Sequence, residues 1–316
     1  MHSLAHSLKT RGLVSLACLV MLLLTAACGS TGTTSGSGGS GKGNLVIASK
    51  LDVESQLIAE MYGLLLKKDG YNVTQKAALG NSTIIFQAIT SNQIDIYPEF
   101  TATGLNKLGI PSSYNPQKDY QTVKQNFDKK YNLIWLDASP LNDGYALCTT
   151  KTEAQKLNIT TISQLTPKVS QLSLASPSDG TTFVDGLQKT YGFTTKSFKK
   201  TSTVDYNIGF KAVSSGQAQI NVCYGTDATV QQQGFVFLQD DKNGFPAFNP
   251  APVVRNAILK KDSDISSVLN PLAPKLTTAV SIQLQNQVAN MTKGGSSSTH
   301  AITVVAQNFL KQQGML

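Results

Sequence analysis

A chain of 316 residues with 41% hydrophobic content can bury one large core or two ordinary lobes, which excludes a disordered protein. Its 27 Lys and Arg against 19 Asp and Glu give a net charge of +8, yet the basic residues are dispersed, with only short pairs such as Lys67-Lys68 and Lys199-Lys200, so no nucleic-acid groove is indicated. Histidines occur only at 2, 6 and 300, too few for a His-rich metal site.

Residues 1–27 read as a signal peptide. Lys9 and Arg11 occur with no acid, the apolar run 13–24 is short for a bilayer span, and small residues lead to Ala27. Cys28 follows Thr25-Ala26-Ala27 and resembles the lipobox cysteine of bacterial lipoproteins, although Leu24 stands four places before it where the pattern has Leu three before. A lipidated Cys28 is the expectation, and ordinary secretory cleavage beside an incidental cysteine is the alternative. Residues 28–43 are almost wholly Gly, Ser and Thr, the composition of a flexible tether. Within them 36–43 mimics a phosphate loop, but no Ser or Thr follows Lys42 and no strand precedes it, so a linker is expected there. Loss of residues 1–27 leaves 25 basic and 19 acidic residues, a net +6.

From residue 45 the pattern alternates. A strand is predicted over 45–48, a helix over 54–68 with Leu57, Ile58, Met61, Leu64 and Leu65 on one face, a strand over 71–77, and a helix over 83–90 capped by Asn81 or Ser82. A polar, turn-rich segment then ends in a helix over 119–130, followed by strands over 133–136 and 145–149. Segments 160–165, 172–175, 186–191 and 206–213 repeat the alternation as a second, smaller lobe. Strands interleaved with helices imply mainly parallel sheets with helices on their faces.

One unit occurs twice. Residues 86–96 align with 210–220 so that Phe, Ala, Ser, Gln and Ile recur in register, and Phe100 falls on Tyr224. Each copy reads as a helix end, a polar turn and a short apolar strand that finishes on an aromatic ring. Ligands of open α/β sheets settle at the carboxyl ends of strands, so two such units facing one another aim two rings at one crevice.

The stretch Tyr97-Pro98-Glu99-Phe100-Thr101-Ala102-Thr103-Gly104, with Trp135-Leu136-Asp137, Asn142-Asp143-Gly144-Tyr145, Tyr224-Gly225-Thr226-Asp227 and the run from Phe245 to Arg255, resembles the substrate-binding proteins of ABC importers for quaternary amines. The likeness extends in family order over roughly residues 44–314. It implies an α/β fold of the two-lobed periplasmic-binding-protein type II, with lobe 1 formed by 44–144 plus 225–316, lobe 2 by 145–224, and two hinge strands between them. Cys148 and Cys223 fall one on each proposed hinge strand. In an exported protein they either pair, which is the expectation, or pack as buried thiols.

The resemblance also implies a ligand set. A quaternary ammonium has no N–H to donate and is held instead by the negative faces of aromatic rings; the family's aromatic box maps onto Phe100, Tyr145, Tyr224 and Phe248. Each ring alone would read as core packing, but all four stand at strand ends or turns beside Gly, Pro, Thr or Asp. Thr103 and Lys50 match positions that contact betaine carboxylates, and Lys50 equally fits a surface lysine after the first strand. Two departures point to a ligand that is cationic overall, such as choline: Phe183 precedes Val184-Asp185-Gly186 where betaine binders often carry Arg before Asp-Gly, and Asp143 stands where relatives tend to have Asn.

The expected protein is an extracytoplasmic, lipid-anchored, monomeric binding lipoprotein that hands a quaternary ammonium compound to an ABC permease in the membrane. It has no cofactor, no nucleic-acid partner and no enzymatic activity. The rivals are a receptor for another small cation or an amino acid and, from another class, a secreted serine hydrolase, against which stands the lack of a Gly-x-Ser-x-Gly elbow. Glu99 and Asp227 read as capping or lobe-to-lobe groups rather than an acid/base pair, and His300 as a surface residue.

Overall fold

In the computed structural model, which describes residues 42–316, Asp52 accepts a hydrogen bond from Ser55 N and opens the helix Val53–Lys68. Asn81 caps the helix Ser82–Thr90 by accepting from Thr83 N and Ile84 N. The signal peptide, Cys28 and the tether up to Gly41 lie outside the described residues.

Among the described residues, ten strands form two sheets of five. They are β1 (Asn44–Ala48), β2 (Asn72–Lys76), β3 (Ile96–Phe100), β4 (Leu133–Trp135), β5 (Tyr145–Thr150), β6 (Ser173–Ser176), β7 (Lys200–Thr203), β8 (Ile220–Tyr224), β9 (Phe235–Leu238) and β10 (Pro250–Arg255). The first sheet has the order β2-β1-β3-β10-β4 and the second β7-β6-β8-β5-β9. In each, one strand runs antiparallel to both neighbours: β10 between β3 and β4, and β5 between β8 and β9. The repeated unit of the sequence supplies the third strand of both sheets, β3 and β8. Among the described residues, the buried apolar clusters each fall within one lobe, none drawing on both sheets.

The lobe boundary expected at 224/225 is corrected by β9. It pairs with β5, and Phe245 packs in the core of the second sheet, so the second lobe continues some twenty residues further. Likewise β5 and β8 do lie side by side, Tyr145 against Tyr224, but as inner strands of that lobe rather than as the hinge. The chain passes between lobes near 142–144 and 246–249, where Asp143 N donates to Phe248 O (3.1 Å) and Phe248 N to Asn142 Oδ1 (2.8 Å). Cys148 and Cys223 are disulfide-bonded and tie β5 to β8 inside the second lobe.

Strand β10 was hidden by its prolines, which ordinarily argue against an inner strand. Here β4 ends at Trp135, opposite Val253, so it asks nothing of the missing donors at Pro250 and Pro252, whose carbonyls instead accept from Ser139 N (2.8 Å) and Leu136 N (2.9 Å).

Candidate functional site

A cavity of about 930 Å³ opens between the lobes. Its first wall comes from lobe 1, with Ser82 and Thr83 at a helix start and Thr103, Asn106 and Lys107 on the helix Thr101–Leu108. Tyr145 and Phe183 from lobe 2 face it, joined by Pro246 and Phe248 from the returning crossover. A smaller hollow of about 540 Å³ lies on lobe 1 alone and has a single ring, Tyr120, in its lining.

The rings form a continuous surface. Tyr145 stacks on Phe183 with centroids 4.1 Å apart and planes 22° from parallel, and Phe183 meets Phe248 edge-on at 6.4 Å. Behind them Tyr224 lies 5.2 Å from Tyr145 and 4.8 Å from Tyr206. Tyr206 is fixed by a bond from its hydroxyl to Asp227 Oδ2 (2.5 Å), and Asp227 also caps the helix Ala228–Gln232 by accepting from Thr229 N. The front three rings are half-buried and line the cavity, so each keeps part of its surface open to a solute entering the cleft.

Of the residues expected to bind ligand, Tyr145, Phe248 and Thr103 line this cavity, and Tyr224 touches its wall through Tyr145. Phe100 and Lys50 are not in the lining. Phe100 is only 4% exposed, and Lys50 Nζ sits 4.6 Å from its ring centroid while bonding the wholly buried Glu99 at 2.5 Å. The Lys50 ammonium is thus paired inside lobe 1: it is not a surface lysine, and it occupies a cation-binding position on Phe100. Asp143 sits at the crossover instead of the wall, where the Thr226 hydroxyl donates to it.

Two residues went unnoticed in the sequence. Phe183 appeared only as the absence of an arginine, yet it is the ring with the closest stacking partner in the wall. Glu54 entered only as the start of a predicted helix, and it does lie in the first turn, where the helix dipole favours an acid. It is also buried against the crossover: Oε1 accepts from Ser281 Oγ and from Gln285 Nε2 (3.3 Å), and Oε2 has no partner among the described residues.

Burial and the charges of Asp143 and Asp52 hold the Glu54 carboxyl well above the usual range. Burial and Asp52 push Asp143 up to about 6, against the pull of Lys50. A carboxyl whose folded pKa is raised contributes stability that is complete below its unfolded pKa and is lost as pH rises through the folded one. Between pH 4 and 7 the melting temperature should therefore fall for wild type and fall less for Glu54→Gln, as thermal melts across that window will read. Parallel profiles would remove the pair from the linkage.

Two lobes around a ring-lined cleft define a solute-binding protein, the class to which the comparisons also point. The family model for the substrate-binding domain of the ABC-type glycine betaine transport system matches residues 43–312. The glycine betaine-binding protein YehZ of Escherichia coli is 28% identical over 282 residues, covering 85% of this chain and 90% of that one. The ergothioneine transport permease/ergothioneine binding protein EgtU of Helicobacter pylori is 28% identical over 276 residues, covering 86% of this chain; the chain spans about half, 48%, of that relative. Among solved structures, apo YehZ from Escherichia coli superimposes with a TM-score of 0.72 at 26% identity, covering 86% of this chain and 99% of that one. A glycine betaine/carnitine/choline ABC transporter structure gives 0.75 at 25% identity with the same coverage. The chain belongs to the family of substrate-binding domains of ABC-type glycine betaine transport systems. That assignment lends nothing to the serine hydrolase alternative.

Proposed function

We propose that this protein captures a quaternary ammonium compound between its lobes, against the wall of Tyr145, Phe183 and Phe248, and delivers it to an ABC permease on the extracytoplasmic side of the membrane. The observation that carries the reading is the wall itself: three half-buried rings, two from lobe 2 and one from the crossover, lining one cavity that lobe 1 closes on the other side. Each face turned to a methylated ammonium contributes about 0.5–2 kcal/mol. With Phe183 where a guanidinium would have clamped a carboxylate, lobe 2 offers a cation its π-face and brings neither Lys nor Arg to the lining among the described residues.

Binding involves no bond making, and the protein is not an enzyme in this reading. Attachment through a lipid on Cys28 and a monomeric state belong to the same proposal; among the described residues no helix is long and apolar enough to cross a membrane.

Calorimetry of the purified protein against choline, glycine betaine, carnitine and proline betaine tests it. At least one should bind, and Phe183→Ala and Tyr145→Ala should each weaken that compound by about tenfold, the equivalent of about 1.4 kcal/mol. Heat signals absent for the whole panel would overturn the ligand class. Unchanged affinity in both variants would overturn the wall.

A further inference from the structure

The loop between the helices Thr101–Leu108 and Pro116–Tyr131 carries an unusual residue. Tyr114 has φ +59°, a left-handed conformation that a bulky side chain adopts only where its surroundings impose it. The imposing group is Asp119, a carboxylate only 2% exposed in the first turn of the second helix. Asp119 accepts from Ser112 Oγ (2.5 Å), Ser113 N (2.8 Å) and Ser113 Oγ (2.7 Å), and Ser112 Oγ in turn accepts from Tyr114 N (3.0 Å). Asn115 then caps the helix by accepting from Lys118 N (3.0 Å). Three consecutive loop residues are thus wound around one buried charge, and their winding fixes the direction in which Tyr114 leaves the loop.

That direction is across the cleft. A Cβ built on Gly186 would stand 3.4 Å from the Tyr114 hydroxyl, and Lys189 Nζ lies 5.9 Å from the Tyr114 ring centroid. Gly186 and Lys189 belong to lobe 2, in the two short helices Ser178–Gly186 and Gln188–Tyr191, the first of which carries Phe183. The same loop contributes Pro111 and Ser112 to the cavity lining. The contact therefore joins the lobes away from the covalent crossovers, beside the aromatic wall, and even a Cβ at Gly186 would already touch the Tyr114 hydroxyl, so a larger side chain there would press on it.

We propose that Tyr114 is an interlobe latch: seated on the Gly186–Lys189 corner, it sets the opening of the cleft and so the spacing between the Phe183 wall and the Thr103 wall. Tyr114 is a positioning residue, acting on the solute through the wall it holds. The inference rests on the two-lobed binding reading but not on the identity of the ligand, and its test uses none.

Spin labels on Gln121→Cys in lobe 1 and Lys196→Cys in lobe 2, both exposed, report the interlobe distance in the ligand-free protein. Tyr114→Gly removes the ring and suits the left-handed backbone, so the melting temperature should hold or rise while the distance distribution lengthens and broadens. Tyr114→Phe should keep most of the wild-type distribution, since the ring remains. Gly186→Val should lengthen the distance in wild type and add nothing further in the Tyr114→Gly background, because the two substitutions remove one contact. A Tyr114→Gly distribution identical to wild type would overturn the latch, as would a Gly186→Val shift of equal size in both backgrounds. Failure of every compound in the calorimetric panel would leave these outcomes untouched, and failure here would leave the panel's result standing.

Discussion

Replacing both Cys148 and Cys223 by alanine is expected to lower the unfolding free energy by about 4 kcal/mol, the loop-closure value for a cross-link between residues 75 apart. The closed loop contains β6, β7 and their helices, most of the second lobe, while the first sheet lies wholly outside it. The loss should fall on one lobe. Scanning calorimetry of the double variant, or of wild type under reductant, should show the second lobe melting as a separate, earlier transition. A single unshifted transition would mean that the bond contributes nothing to that lobe. The functional consequence concerns the wall: Cys223 precedes Tyr224, and Tyr224 sits in register with Tyr145, so the bond helps hold the strands that present the two tyrosines.

The second large effect belongs to Lys50. Its ammonium is the only charged partner that Glu99 has among the described residues, and Glu99 is fully buried, with its remaining acceptor capacity used by Phe100 N (2.9 Å) and the Tyr97 hydroxyl (3.2 Å). Removing one member of a buried pair strands the other charge at a cost of about 3–5 kcal/mol, whereas removing both charges together is often neutral. Lys50→Met should therefore destabilise by that amount in denaturant melts, and Lys50→Met with Glu99→Gln should recover most of the loss. If the double variant is as unstable as the single one, burial of the pair is not the cause. A ligand-contacting lysine would behave differently, losing affinity with little change in stability.

Much of the frame was legible because it is written in local patterns. Helix caps at Asn81 and periodic apolar faces depend on neighbours a few residues away, and the duplicated helix-turn-strand unit depends only on comparing the chain with itself. The strands at 145–149 and 220–224 and the rings at their ends were placed by the same alternation of apolar and turn residues. Tyr145, Phe248 and Thr103 were named through the resemblance, and each stands near the end of a strand, where side chains reach a cleft.

The alternation of strand and helix over much of residues 45–224, the repeat and the two-lobed α/β class were thus legible in the sequence, since hydrophobic periodicity and turn chemistry act over a turn or two of chain. Which charges meet was decided only in three dimensions. Adjacency of β1 and β3 brings Lys50 to Glu99 and onto Phe100, and the packing of the helix Thr278–Lys293 brings Ser281 and Gln285 to Glu54. The edge pairing of β9, the stacking of Phe183 on Tyr145 and the reach of Tyr114 to Gly186 are likewise contacts between residues distant in sequence. Such contacts leave no periodic trace, because they depend on how finished elements pack rather than on how each one forms.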